Sequence, residues 1–143
     1  NNVVPDNAVL RFNIRPRELA LADQFEMEIK QLIATIEAEH DVSIHIHGGI
    51  SRPPKPINAR AEKLFGIVEL CSALLGQTIT RKASGGVCDG NNIAACGVPV
   101  VDTMGVRGGA IHSPDEFLIV PSLEERARLS ALVLHRLATG APL

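Results

Sequence analysis

The chain has 143 residues, 45% of them hydrophobic and 21% charged, the balance of a folded globular protein and not of a disordered one. A formal net charge of −2 gives no basic surface for nucleic acid, and 3% aromatics with no Trp or Tyr leave no platform for stacking bases. No apolar run reaches membrane-spanning length, so neither nucleic acid nor membrane is an expected partner.

Ala8 to Arg15 alternates: Ala8, Leu10, Phe12 and Ile14 share one face, and Val9, Arg11, Asn13 and Arg15 the other. Period two predicts a half-buried strand. From Glu18 to His40, Leu21, Phe25, Ile29, Leu32 and Ile36 recur at helical spacing and predict a helix with that stripe inward. Val42, Ile44 and Ile46 alternate with Ser43, His45 and His47, a second predicted strand ended by Gly48-Gly49. Strand, helix and strand make about half of a small two-layer α+β domain. Pro53, Pro54 and Pro56 then stiffen a linker, because each fixes φ and removes a backbone donor. The domain boundary is placed here, giving 1–52 and 53–143.

Asn58 is a predicted N-cap for a helix to about Leu75, with Leu64, Ile67, Val68, Cys71 and Leu74 buried and Gly76 as its left-handed stop. Gln77 to Lys82 reads as a short strand. A glycine turn and a helix to about Cys96 follow. Val98 to Asp102 is nearly all apolar, as in a strand buried on both faces, and Phe117 to Val120 is another strand. Ser122 and Glu125 form a capping-box pattern for a last helix to about Ala138, with Glu124 and Glu125 complementing its dipole. Helices alternating with short strands predict a layered α/β domain.

Cys71, Cys88 and Cys96 are an odd set without metal-ligand spacing. They suit a reducing compartment, the cytoplasm, with Cys71 and Cys96 expected to be buried as small apolar residues. The opening Asn1-Asn2-Val3-Val4-Pro5 lacks Met and runs straight into a strand, so a piece of a longer protein is expected, and a leader would lie in the missing part.

The residues that carry chemistry gather in the second half. The turn Ser84-Gly85-Gly86-Val87-Cys88-Asp89 opens a helix, and inward N–H groups there suit negative charge or a polarised carbonyl oxygen. A tight turn needing φ > 0 accounts for the same glycines. His112, in a loop behind Gly108, Gly109 and Ala110, reads as a metal ligand, a proton carrier or a solvated loop residue. His45 and His47 share a strand face, more simply a solvated one than a metal clamp. Arg11, Asn13 and Arg15 share a face that is either solvated or suited to carboxylates. Gly86-Val87-Cys88-Asp89-Gly90 also matches a nucleophile elbow with Cys for Ser, and Asp102 and His112 follow in the hydrolase order. The amphipathic stretch Thr78-Ile79-Thr80-Arg81-Lys82 before it argues against that arrangement.

Taken in order, these segments resemble zinc-dependent glutamate carboxypeptidases, whose superfamily includes acetylornithine deacetylase, succinyl-diaminopimelate desuccinylase and aminoacylase. Ser84 to Asn91 is similar to the family's Gly-Gly-(Ser/Thr)-Asp turn, with Cys88 where Ser or Thr is commoner. Gly105 to Phe117 resembles the segment holding the last zinc-binding histidine. Asn2-Val3-Val4-Pro5 with Asn13-Ile14-Arg15 resembles the second half of the lid, or dimerisation, domain. Arg52 and the prolines resemble the hinge back to the catalytic domain.

The resemblance implies an α/β chain: half of a small α+β lid domain in 1–52, then the C-terminal part of a layered α/β zinc-hydrolase domain in 53–143. It implies that His112 is a zinc ligand, that Asn2, Arg15 and Arg52 grip the substrate's carboxylate, and that Gly85 and Gly86 line the pocket. Arginine's planar fork suits that grip. It also implies two zinc ions, a bridging aspartate and a glutamate base, which the family carries upstream of the segments matched here. The complete enzyme would cleave amide bonds of N-acyl amino acids or peptides as a homodimer paired through the lid, and this segment alone would be inactive. The alternatives are a non-catalytic dimerisation module, and a hydrolase with Cys88 as nucleophile served by Asp102 and His112.

Overall fold

The computed structural model describes residues 5–140. The chain forms two compact units, one ending at Ile50 and the other beginning at Ser51. Its architecture is mixed: four helices and one two-stranded antiparallel sheet among the described residues, compatible with an α/β class.

The first unit is built on α1 (Leu19–Glu39). Ala22 is fully buried, and Phe25, Ile29, Ile33 and Ile36 are partly buried behind it. Leu21 and Leu32 of the predicted stripe stand outward, 49% and 58% exposed. At 3.6 residues per turn, the inward face is rolled by about 40° from the predicted one. The edge-on contact of Phe12 with Phe25, 6.1 Å between ring centroids, draws the preceding segment toward that rolled face. The strands expected at Ala8–Arg15 and Val42–Ile46 are absent: neither segment carries a backbone ladder. A strand is a pairing and not a property of one segment, and among the described residues neither segment is bonded into a ladder. Val9, Leu10, Val42 and Ile46 are accordingly exposed. Ile44 instead donates its N–H to the Glu37 carboxylate at 2.7 Å, which ties the return segment to the helix.

The second unit has its core between α2 (Ala59–Leu74) and α4 (Ser122–Ala138). Val68 and Cys71 of α2 meet Leu129 and Val133 of α4, with Ile67, Ile79, Val101 and Met104 packed around them. The N-cap forms as predicted: Asn58 Oδ1 accepts from the backbone N–H groups of Arg60 and Ala61, at 3.1 and 2.9 Å. Asn58→Ala should therefore cost about 1 kcal/mol, read as a lower urea midpoint, whereas Asn58→Gly should cost only a few tenths. Gly76, at φ +66°, ends the helix in the left-handed region. Leu74 departs from the predicted stripe and is 59% exposed; Ser72 is buried in its stead and donates to the Gln77 carbonyl at 2.8 Å.

Strands expected at Gln77–Lys82 and Val98–Asp102 also lack ladders. Side chains hold the first of these: the Arg81 fork pairs with Glu69 and Glu62, each at 2.6 Å, and lies over the Phe65 ring. That contact holds the Glu69 carboxyl below its usual range and raises the guanidinium further, both through the shared hydrogen bonds. Val98 is half exposed, so the 98–102 segment is not covered on both faces; Val101 alone is drawn toward the core. Cys71 is buried as expected, but Cys96, at the C-cap of α3 (Asp89–Ala95), is exposed.

Among the described residues one ladder forms, joining β1 (Gly108–Gly109) to β2 (Phe117–Leu118), Gly108 opposite Leu118 and Gly109 opposite Phe117. The glycines are required here. A Cβ at Gly108 would collide with the Phe117 carbonyl oxygen, and one at Gly109 would stand 2.9 Å from the Phe117 ring. Ser122 does not cap α4, whose N-cap is Pro121. Its hydroxyl is buried, accepts from the Arg107 N–H at 2.9 Å and donates to the Ile119 carbonyl at 2.5 Å. Glu125 pairs with the Arg107 guanidinium at 2.9 Å rather than with the N-cap backbone.

Candidate functional site

The hinge and the glycine turn meet in the second unit. Arg52 Nη2 donates to Asp89 Oδ1 at 2.9 Å. Asn91, buried in the first turn of α3, donates its amide to the Pro53 carbonyl at 3.0 Å and accepts from the Cys88 N–H at 3.1 Å. Lys55 is ion-paired with Asp102, whose Oδ2 also accepts from the Cys88 thiol at 3.3 Å. Three side-chain links thus fasten residues 52–55 to α3 and to the segment ending at Asp102. Gly85 and Gly86 are exposed beside this cluster in sequence, and the Gly86 N–H is taken by Ser84 Oγ at 3.0 Å. The α3 turn spends its own polar groups on the hinge, and at seven residues the helix is too short to act as a strong dipole.

The Lys55 ammonium holds the Asp102 carboxyl below its ordinary range; partial burial opposes this, and the Cys88 thiol adds to it. A depressed native pKa means that the pair stabilises the fold above the unfolded value near 3.9 and is lost as pH falls through the lower native value. Both side chains reach solvent, so the contribution is about 0–1 kcal/mol. Asp102→Asn should cost that much at pH 7, and the gap between wild type and variant in urea melts should close below about pH 4. A gap that widens in acid would contradict this assignment.

His112 lies at the tip of the β1–β2 hairpin. The glycines before it serve the approach of Phe117 rather than opening space around the imidazole. Its backbone is in the left-handed region, φ 67°, as is that of Ala110 at 52°, each costing about 1–2 kcal/mol for a residue with a Cβ. Local bonds hold that shape. The Ser113 N–H and hydroxyl both donate to the Ala110 carbonyl, at 3.1 and 2.7 Å, and the His112 N–H donates to Glu116 Oε2 at 3.2 Å. The imidazole is exposed, and among the described residues no group of three or more His, Cys, Asp or Glu could hold a metal ion.

Of the other predicted residues, Arg15 is exposed in the first unit, and Asn2 lies outside the described residues. His45 and His47 are both exposed. The nucleophile-elbow arrangement does not form: no ladder precedes Cys88, and its thiol bonds to a carboxylate and not to an imidazole. Lys55 was not legible as a site residue, because its partner Asp102 lies 47 positions away. A shallow open groove of about 520 Å³ lies elsewhere, along Gly76–Thr78 and Arg107; its Arg107 and Arg128 are already paired with Glu125 and Glu124.

Known proteins match the chain along nearly its whole length. Succinyl-diaminopimelate desuccinylase of Psychromonas ingrahamii is 28% identical over 141 residues, 97% of this chain and 35% of that protein. The same enzyme of Rhodospirillum centenum is 29% identical over 143 residues, 99% and 35%, and that of Verminephrobacter eiseniae 26% over 140 residues, 98% and 33%. This chain is similar to a segment of succinyl-diaminopimelate desuccinylase. It spans about a third of the length of the curated relatives it matches. No family model matches it, and no solved structure matches it significantly. The desuccinylase likeness covers both the hinge–turn cluster and the His112 hairpin, and the relatives' shared name is that of a hydrolase acting on a small molecule. No helix among the described residues is long and apolar enough to cross a membrane.

Proposed function

We propose that this chain is the C-terminal segment of a zinc-dependent amidohydrolase of the glutamate carboxypeptidase kind, which cleaves the amide bond of N-acyl amino acids or peptides bearing a free carboxylate. The observation that carries the reading is the desuccinylase likeness over 93–99% of the chain. The fastening of Arg52 beside the glycine turn supports it. Residues 1–52 are assigned to the lid, whose exposed Val9, Leu10, Val42 and Ile46 suit pairing between two copies, and residues 53–143 to the catalytic domain.

In this reading Arg52, with Arg15 and Asn2, holds the substrate's carboxylate through charge-assisted hydrogen bonds, and Gly85 and Gly86 leave room for the chain beside it. His112 supplies one imidazole to zinc. The described residues of this chain do not by themselves form a donor set for that ion, so the other ligands and the proton-transferring base are assigned to the remaining length of the parent, and the segment alone is inactive.

The test is an assay of the parent protein on an N-succinyl amino acid and on the same compound with its α-carboxylate made an amide. Losing a charge-assisted contact should lower kcat/KM by about 10- to 100-fold, and chelation should abolish turnover of both. Equal rates for acid and amide would remove the arginine grip from the account. Full activity after chelation would remove the zinc.

A further inference from the structure

Asp89, the last residue of the glycine turn and the first of α3, spends its carboxylate on Arg52. We propose that Asp89 is an internal stand-in for the substrate's carboxylate: it occupies Arg52 when no ligand is present and is displaced when one binds. This rests on the reading of Arg52 as a carboxylate-binding residue.

The contact is built to be replaceable. One nitrogen of the guanidinium, Nη2, meets one oxygen of Asp89, so a five-donor fork is engaged at a single point. An incoming carboxylate that takes two parallel donors would bind the same fork better. Both partners are open to solvent, with side chains 41% and 85% exposed, so a ligand can reach the arginine while the aspartate swings away. Exposed pairs of this kind are weak.

Displacement would not unfasten the hinge. Asn91 still bonds to the Pro53 carbonyl, Lys55 still pairs with Asp102, and the three prolines fix the backbone between them. The side chain of Arg52 is free to change partners over a backbone that stays where it is. Asp89 therefore acts as a filter: it weakens every carboxylate ligand by the strength of its own bond and leaves Arg52 without a bare charge in the meantime.

The experiment is a titration of the 143-residue chain with N-acetylglycine, following the Arg52 Nε–Hε signal by NMR, for wild type, Asp89→Asn, Asp89→Ser and Arg52→Gln. The serine variant keeps a residue tolerated at a helix start should the asparagine variant fold poorly. Removing the competitor should tighten binding by about two- to fivefold, the range set by an exposed ion pair; Arg52→Gln, which lacks that group and is followed through the backbone amides of residues 84–92, should show no response. If the Arg52 signal titrates but both Asp89 variants bind no tighter than wild type, the stand-in role is overturned while the carboxylate site survives. If Arg52 responds in none of the three arginine-containing chains, the carboxylate site falls and the stand-in with it.

Discussion

Leu129→Ala should destabilise the second unit by about 2–5 kcal/mol, enough to leave it partly unfolded at 25 °C. Leu129 is fully buried and sits where α4 crosses α2, against Val68 and Cys71. Removing three carbons there loses their transfer free energy and leaves a cavity. The cavity cannot close easily, because the buried cluster has only four members and two of them are fixed on the opposite helix. Leu134, on the same helix but 65% exposed, provides the control: Leu134→Ala should fall within about 0.5 kcal/mol of wild type. Urea melts of the two variants measure the contrast. Similar midpoints would mean that the α2–α4 contact is not the unit's main support.

His112→Ala should have the largest effect on activity. On the function proposed above, the parent would lose a direct metal ligand. Disturbing a residue that only orients a ligand already costs about 10- to 100-fold in metal affinity or activity, so loss of the ligand should exceed about 100-fold. Zinc retained per protein after dialysis and kcat should fall together. The surrounding hairpin should persist, because its bonds come from the backbone and from Ser113, Glu116 and Ser122 rather than from the imidazole. Unchanged zinc content and turnover in the alanine variant would take His112 out of the site altogether.

What could be read from the sequence divides along a physical line. Helices are local, since their hydrogen bonds lie within a few residues, and the cap at Asn58, the stop at Gly76 and the extents of α1, α2 and α4 followed from spacing. The roll of α1 did not. Leu21 and Ala22 both continue a helical stripe, and the choice between them depends on what packs against the helix, here Phe12 on Phe25. Strands are non-local. Val98 to Asp102 has the composition of a buried strand but lacks a described neighbour to bond with, so composition predicted an element that only a partner can create. The site behaves the same way. Arg52, Asp89 and Asp102 each drew notice in the sequence, yet the pairings of Arg52 with Asp89 and Lys55 with Asp102 span 37 and 47 positions and leave no periodic trace.

The hydroxyl of Ser122 has a consequence for how this region can vary. Because that single group receives from Arg107 and gives to Ile119, the foot of the hairpin is welded to the opening turn of α4. Among the described residues, the hydrogen bonds of the arch above it, residues 110–116, run within the arch itself. Lengthening or recolouring that arch would reshape what His112 presents without disturbing the helix below, whereas loss of the one hydroxyl at its foot would loosen arch and helix together.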